Sequence, residues 1–260
     1  MANRFWIMVN KVIDEANVLL LVLDARMVEE TRNDEIEAKV KEAGKPLIYV
    51  LNKCDLVDKY VVEQYKSKIP NSVFISSKDH LGTTMLRTKI MIAAHRLGLV
   101  KVKVGVLGYP NVGKSSVINA LKGKGSAKTS SMSGYTRHLK NIRTSKIMLI
   151  DTPGVIPYSD TSKTKGNKTE SAHSKHAFIG TIDHTKEKNP DIIAAQLITH
   201  FPGVIEGHYG VPIAEDAEET IEAIAQKYNL KSKGNLPDVL RCSRMILKDW
   251  QIGKITQRRN

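Results

Sequence analysis

The stretch Gly108-Tyr-Pro-Asn111-Val112-Gly113-Lys114-Ser115-Ser116 carries the most specific chemistry in this 260-residue chain. It fits G-x-x-x-x-G-K-[ST], a loop whose backbone N–H groups converge on phosphate oxygens where a helix begins. The apolar run Val102 to Leu107 reads as the strand before it, and the residues from Lys114 toward Gly123 as the helix after it. That strand–loop–helix context is what the motif requires. Asn111, Val112, Gly113, Lys114, Ser115 and Ser116 are therefore the expected phosphate-binding residues. Lys114 would reach the β- and γ-phosphates, and the Ser115 hydroxyl would hold Mg²⁺.

Two further signals follow in the chain. Asp151-Thr-Pro-Gly154 ends the apolar run Lys146 to Ile150. A carboxylate at that place holds Mg²⁺ through water, and the Gly154 N–H can sense a γ-phosphate. Thr136 lies between the two motifs, and its hydroxyl is the expected second side-chain ligand of Mg²⁺, with Thr129 as a competitor. Lys114, Thr136 and Gly154 are the expected catalytic set.

The base is read from an earlier stretch. Asn52-Lys53-Cys54-Asp55 closes the run Pro46 to Leu51, and Ser76-Ser77-Lys78 closes the next, Ser72 to Ile75. A carboxylate at Asp55 can accept both N1–H and the exocyclic amine of guanine, a pair of donors that adenine lacks. Asn52 would brace the loop, the stem of Lys53 would lie across the base, and Ser76, Ser77 and Lys78 would form the second base-contacting loop. The expected ligands are GTP and GDP.

The elements that must position these loops are short apolar runs separated by helical stretches, beginning with Val18 to Leu23. They predict an α/β fold with a mostly parallel six-stranded sheet and helices on both faces. The order of the motifs is unusual: base loops first, phosphate loop next, Asp151 last. Each strand–helix–strand unit stays intact, so a circular permutation of a P-loop GTPase domain explains the order. From Tyr158 to Lys175 the chain is polar, with Ala172 its one aliphatic residue, and beyond it the pattern is helical. The expected domains are a permuted GTPase domain over 1–158, a polar mobile linker over 159–188 and a small all-α domain over 189–260. Helices are predicted from Asn189-Pro190, over Ala214 to Tyr228, and over Pro237 to Trp250.

These residues resemble the circularly permuted GTPases of the YlqF/YawG group, which act in large ribosomal subunit assembly. The resemblance rests on Asp24-Ala-Arg26, Asn52-Lys-Cys-Asp55, Gly108 to Ser115, Gly134-Tyr-Thr136 and Asp151-Thr-Pro-Gly154, with Leu247-Lys-Asp249 and Gly253-Lys254 near the end. It implies a GTP-hydrolysing assembly factor whose partners are the large ribosomal subunit or its precursor and its rRNA. A GTP-dependent switch acting on another RNA or on a protein stays open as an alternative. Asn111 looks like the phosphate-loop asparagine that binds K⁺ in related GTPases, and it also suits a polar turn. The group's Pro-Gly-His-Met is absent near the N-terminus, where Arg4-Phe-Trp-Ile-Met-Val-Asn10 stands, and Ser133 replaces the proline common before Gly134. Val155 and Ile156 follow Gly154 where other GTPases place a water-orienting Gln. Slow turnover is expected until a partner or K⁺ completes the site.

Charge supports a polyanionic partner. The chain carries a formal +13, and the window from Lys78 to Lys146 holds fourteen Lys and Arg against one acid, Asp79. One nucleotide does not need that many cations, whereas rRNA does. Two cysteines, Cys54 and Cys242, build neither a disulfide framework nor a four-ligand zinc site. The run Val18 to Leu23 is too short for a bilayer, and no export signal is visible. The expectation is a cytoplasmic monomer with no membrane and no disulfide partner.

Overall fold

A computed structural model describes residues 4–122, 140–143, 146–151, 178–179 and 184–258. Thr136, Gly154 and the rest of 152–177 lie outside the described residues, as do the side chains of 140–145 and of Asp151. The chain divides into two compact units, Met1–Lys163 and Thr164–Asn260.

The first unit is built on a sheet of six strands: β1 (Val18–Asp24), β2 (Leu47–Asn52), β3 (Ser72–Ile75), β4 (Val102–Leu107), β5 (Lys140–Arg143) and β6 (Ile147–Asp151). Their spatial order is β3-β2-β1-β4-β6-β5. All neighbours run parallel except β5, which pairs antiparallel with β6 at the edge. β1 lies between β2 and β4, so all seven of its residues are buried. A strand covered on both faces must be apolar throughout, as Val18-Leu-Leu-Leu-Val-Leu23 is.

Helices cover both faces. α1 (Arg4–Glu15), the one-turn α2 (Val28–Thr31), α3 (Asp34–Glu42) and α4 (Lys59–Lys68) precede α5 (Thr83–Arg96) and α6 (Lys114–Lys122). Val9, Val12, Ile13 and Ala16 recur at helical spacing and pack with Leu19, Leu21 and Leu23 of β1 and with Ile36 and Val40 of α3. Alternation sends Leu20 and Val22 to the opposite face, where α5 lies on β1, β2 and β3 and α6 on β4 and β6. Asn33 caps α3, its side chain accepting from the Ile36 N–H at 3.0 Å.

Five strands lie within a residue of the apolar runs in the sequence. The sixth, β5, and the helices α1, α2 and α4 emerge only in the structure.

The second unit is helical: α7 (Pro190–His200), α8 (Val204–Tyr209), α9 (Ala217–Lys227) and α10 (Val239–Gln251). Pro190 stands at the first turn of α7, where its missing N–H costs nothing. Trp250 stacks on Phe201 with ring centroids 4.8 Å apart, and Phe201 in turn on Phe178 at 6.5 Å. The Arg244 guanidinium donates to the carbonyl oxygens of His184 and Glu187 at 2.9 and 3.2 Å. The described residues just before Asn189 therefore pack as part of this unit. Among the described residues after Asn189 four helices stand where the sequence suggests three, because the six-residue α8 is too short to show a period.

Candidate nucleotide-binding site

In a parallel sheet every strand ends on the same edge, so the loops that follow are collected there. β1 ends at Asp24, β2 at Asn52, β3 just before Ser76, β4 just before Gly108 and β6 at Asp151. The register sets Asp24 opposite Asn52, Asn52 opposite Ile75, and Val106 opposite Asp151. Across the edge the order is therefore Ser76, Asn52, Asp24, Gly108, Asp151. Residues as far apart in sequence as Asp24 and Asp151 become one row.

Asn52 joins the two halves of that row. Its side chain is buried, with Nδ2 donating to the Val112 carbonyl oxygen at 2.9 Å and Oδ1 accepting from the Ser77 N–H at 3.2 Å. The phosphate loop and the Ser76-Ser77-Lys78 loop are thus held by one carboxamide. Next to it, Lys53 takes a left-handed conformation with φ 63° and starts the 3-10 turn Cys54–Leu56, which holds a half-buried Asp55 in the same loop. The Ser76 hydroxyl donates to Asp79 at 2.9 Å and accepts from the Asp79 N–H at 3.1 Å, which closes the second loop on itself. Lys78 is exposed beside it.

The phosphate loop is shaped by three left-handed residues, Gly108 at φ 137°, Asn111 at 63° and Gly113 at 96°. A Cβ on Gly108 would strike the Val22 carbonyl oxygen, and one on Gly113 would strike the Asn52 amide. Both glycines are needed because neighbouring strands hold the loop that closely. Lys114 is 6% exposed, and its ammonium donates to the carbonyl oxygens of Gly108 and Tyr109 at 2.8 and 2.6 Å. It therefore points back into the loop's own concavity. Ser115, in the first turn of α6, is exposed, and Ser116 half-buried. Asn33 donates to the Tyr109 hydroxyl at 3.2 Å, so the cap of α3 also touches this loop.

One part of the site carried no role in the sequence beyond the resemblance. Asp24 is buried and accepts from the Arg26 Nε and Nη2 at 3.0 and 2.8 Å and from Lys53 Nζ at 2.8 Å. Burial alone would raise its carboxyl, but the Arg26 guanidinium and the Lys53 ammonium outweigh it and hold the group well below the usual carboxylate range. Burial in turn pulls the Lys53 ammonium below its ordinary value, against the Asp24 charge. The Thr31 hydroxyl accepts from the Asp24 N–H at 3.2 Å and donates to the Met27 carbonyl at 2.6 Å. The signal was there to be read: a charged residue ending an all-apolar central strand needs a partner, and Arg26 stands two positions on.

Among the described residues no three His, Cys, Asp or Glu side chains gather as a metal site. None of the helices there is long and apolar enough to cross a membrane. Cys242 is buried, its thiol donating to the Ile221 carbonyl, and burial pushes it up to about 12.

Comparisons with known proteins agree with this geometry. Residues 103–209 match a family model described as a 50S ribosome-binding GTPase. An uncharacterized GTP-binding protein of Methanocaldococcus jannaschii is 41% identical over 95% of this chain and 65% of its own length. Nucleolar GTP-binding protein 2 of Saccharomyces cerevisiae is 32% identical over 98% of this chain and 52% of its own. The chain thus spans between about half and two thirds of these relatives. The crystal structure of GNP-bound YlqF from T. maritima superposes with a TM-score of 0.63 over 98% of this chain and 96% of that one, at 21% identity. Motif order, strand order and these likenesses converge: the chain has the fold and the motif order of the circularly permuted GTPases of the YlqF/YawG group.

Proposed function

We propose that the chain binds GTP along this sheet edge and hydrolyses it as an assembly factor for the large ribosomal subunit, touching rRNA through its basic surface. One observation carries the reading: Asn52 bonds both the phosphate loop, at Val112, and the base-side loop, at Ser77. A single buried carboxamide spanning the two loops suits a ligand with a guanine at one end and phosphates at the other. The ribosomal part draws on the family model's description and on the nucleolar relatives.

Each residue then has a task. Asp55 accepts from guanine N1–H and the exocyclic amine, while Asn52, Lys53, Ser76, Ser77 and Lys78 frame the base. Lys114 exchanges its carbonyl partners for β- and γ-phosphate oxygens. Asn111, Val112, Gly113, Ser115 and Ser116 present the loop and the α6 N-terminus to the same phosphates. Hydroxyl and carboxylate donors, with too few protein ligands to form a cage, fit Mg²⁺ held jointly with substrate phosphates. Ser115, Asp151 and Thr136 would hold that ion, which neutralises charge between the phosphates. Gly154 would sense the γ-phosphate through its N–H. The left-handed turn at Asn111 is a place for K⁺ to do similar work. Val155 and Ile156 follow Gly154 where other GTPases place a water-orienting Gln, so turnover is slow until the partner supplies such a group.

The test is GTP turnover by the full chain in KCl and in NaCl, each with and without purified large ribosomal subunits. Strong stimulation by subunits is expected, with a further gain in KCl. Equal rates in the two salts would remove K⁺ from the mechanism. Flat, slow turnover throughout would shift the partner to another RNA or a protein.

A further inference from the structure

The nucleotide site leaves the outward side of α5 without a task. Leu86, Ile90 and Ala94 face the sheet and are fully buried, as an i, i+4, i+8 stripe should be. On the other side Thr84, Arg87, Thr88, Ile92, His95 and Arg96 line a shallow open groove together with Met91. Exposed large apolar side chains are also frequent on and just beside this helix: Leu81, Met85, Ile92, Leu97 and Val100 are five of the thirteen among the described residues. Such a concentration within twenty residues marks a surface that something covers.

Charge says what covers it. Several surface cations elsewhere in the same unit meet carboxylates: Lys11 with Glu15, Arg32 with Glu29 and Glu37, Lys66 with Glu63. On α5, among the described residues, Arg87 and Lys89 meet carbonyl oxygens instead. Those of Leu121 and Ser72, their respective partners, are both neutral, so the positive charge stays uncancelled. No acid occurs anywhere from position 80 to 150. A protein partner normally presents both signs, and its binding surface mirrors that mixture. Thirteen Lys and Arg in that stretch with no acid among them instead match a polymer of uniform charge.

We propose that the outward face of α5 docks an RNA sugar–phosphate backbone, an inference that rests on the RNA partner proposed above. Guanidinium and hydroxyl groups are the side chains that contact phosphates most readily, and Arg87, Arg96, Thr84 and Thr88 supply both kinds. Ile92 and Met91 lie between them, apolar surface suited to the ribose edges. The helix carries no Phe, Tyr or Trp, so it reads the backbone more than it stacks on bases. Through Arg87 and the Leu121 carbonyl, the face is also bonded to the last turn of the phosphate-loop helix.

The experiment is fluorescence anisotropy of a labelled RNA hairpin, titrated with the full chain over a series of KCl concentrations. The double variant Arg87→Gln/Arg96→Gln is expected to bind about tenfold more weakly at 0.15 M salt, with a salt slope smaller by about 1.6 for two lost phosphate contacts. Arg96→Gln alone, which leaves the Leu121 contact intact, should lower the slope by about 0.8. Lys66→Gln, on α4, should change neither quantity. Wild-type affinity and slope in both α5 variants would overturn this surface while leaving the RNA partner standing. Absence of salt-sensitive RNA binding by the wild type would overturn the RNA partner and the inference with it. Competition by polyglutamate as effective as by RNA of equal charge would overturn the RNA assignment in favour of an acidic protein.

Discussion

Asn52 and Val112 lie sixty positions apart in sequence and share a hydrogen bond of 2.9 Å. With the Ser77 N–H on its other end, the Asn52 carboxamide fixes the distance between a base loop and a phosphate loop that belong to different strands. Asn52→Ala leaves the Val112 carbonyl and the Ser77 N–H without their partner. The loss is about 2 kcal/mol of stability, and GTP affinity should fall by more than stability alone explains. Urea unfolding and calorimetric GTP titration of one preparation check this, and undiminished affinity would refute the bridging role.

Gly108 approaches the Val22 carbonyl so closely that no Cβ fits, and the obstacle is main chain of the central strand rather than a side chain that can turn away. Gly108→Ala therefore has to move either β1 or the phosphate loop. The expected cost is about 2 kcal/mol or more. Thermal unfolding should show a clear drop in Tm, and a variant as stable as the wild type would contradict the packing.

Asp24 supplies a pH signature. Its folded carboxyl sits below the ordinary value of 3.8 because Arg26 and Lys53 flank it. Its stabilising contribution is therefore fully present above about pH 4 and is lost as pH falls through the lower, folded value. Asp24→Asn should cost about 3 kcal/mol or more at neutral pH by removing the buried carboxylate charge that Arg26 and Lys53 both bond. Denaturant midpoints of the two proteins should converge in strong acid, and parallel curves down to pH 2 would count against the assignment.

Asp55 is the residue on which the choice of base depends. Asp55→Asn replaces a double acceptor with a group that can accept only one of the two guanine protons. GTP affinity should drop about a hundredfold. Xanthosine triphosphate, which offers a carbonyl where guanine offers an amine, should gain. Competition binding with the two nucleotides reads the switch, and an unaltered preference for GTP would place base recognition elsewhere.

The parts legible in the sequence were those whose local pattern is strong. β1, β3 and β4 are apolar runs between breakers, and α3 and α7 announce themselves through Asn33 and Pro190. The order of the motifs carried the permutation. What stayed hidden depended on neighbours. β5 is Lys140-Asn-Ile-Arg143, a basic edge strand with no run of apolar residues, and only its partner β6 makes it a strand. α4 has no fully buried residue, and only Val62 and Tyr65 of it pack part-buried on the core, so its stripe is narrow. α1 did carry the pattern, in Val9, Val12, Ile13 and Ala16, but its meaning depends on Gly105, where a Cβ would press on Val12, Leu19 and Ala16. At the site, Asn52 was legible as a brace, whereas the number of its bonds was not. Lys53 shows the limit most clearly: its motif suggests a stem laid on a base, and the fold adds a charge at its tip, Asp24, from the end of the neighbouring strand.

The sheet order has a consequence for the making of the chain. β1, β2 and β3 are adjacent both in sequence and in space, whereas the other edge of β1 is covered by β4, which is synthesised only after α5. In a growing polypeptide the half of the sheet that carries Asn52, Asp55 and Ser77 can pair before the phosphate-binding half exists. During that interval the β4-facing edge of Val18-Leu-Leu-Leu-Val-Leu23 offers unpaired main-chain groups along a wholly apolar strand, the kind of template on which chains stick to one another. Moving the cut in the sequence thus also moves the moment of greatest aggregation risk to the time when β1 waits for Val102–Leu107.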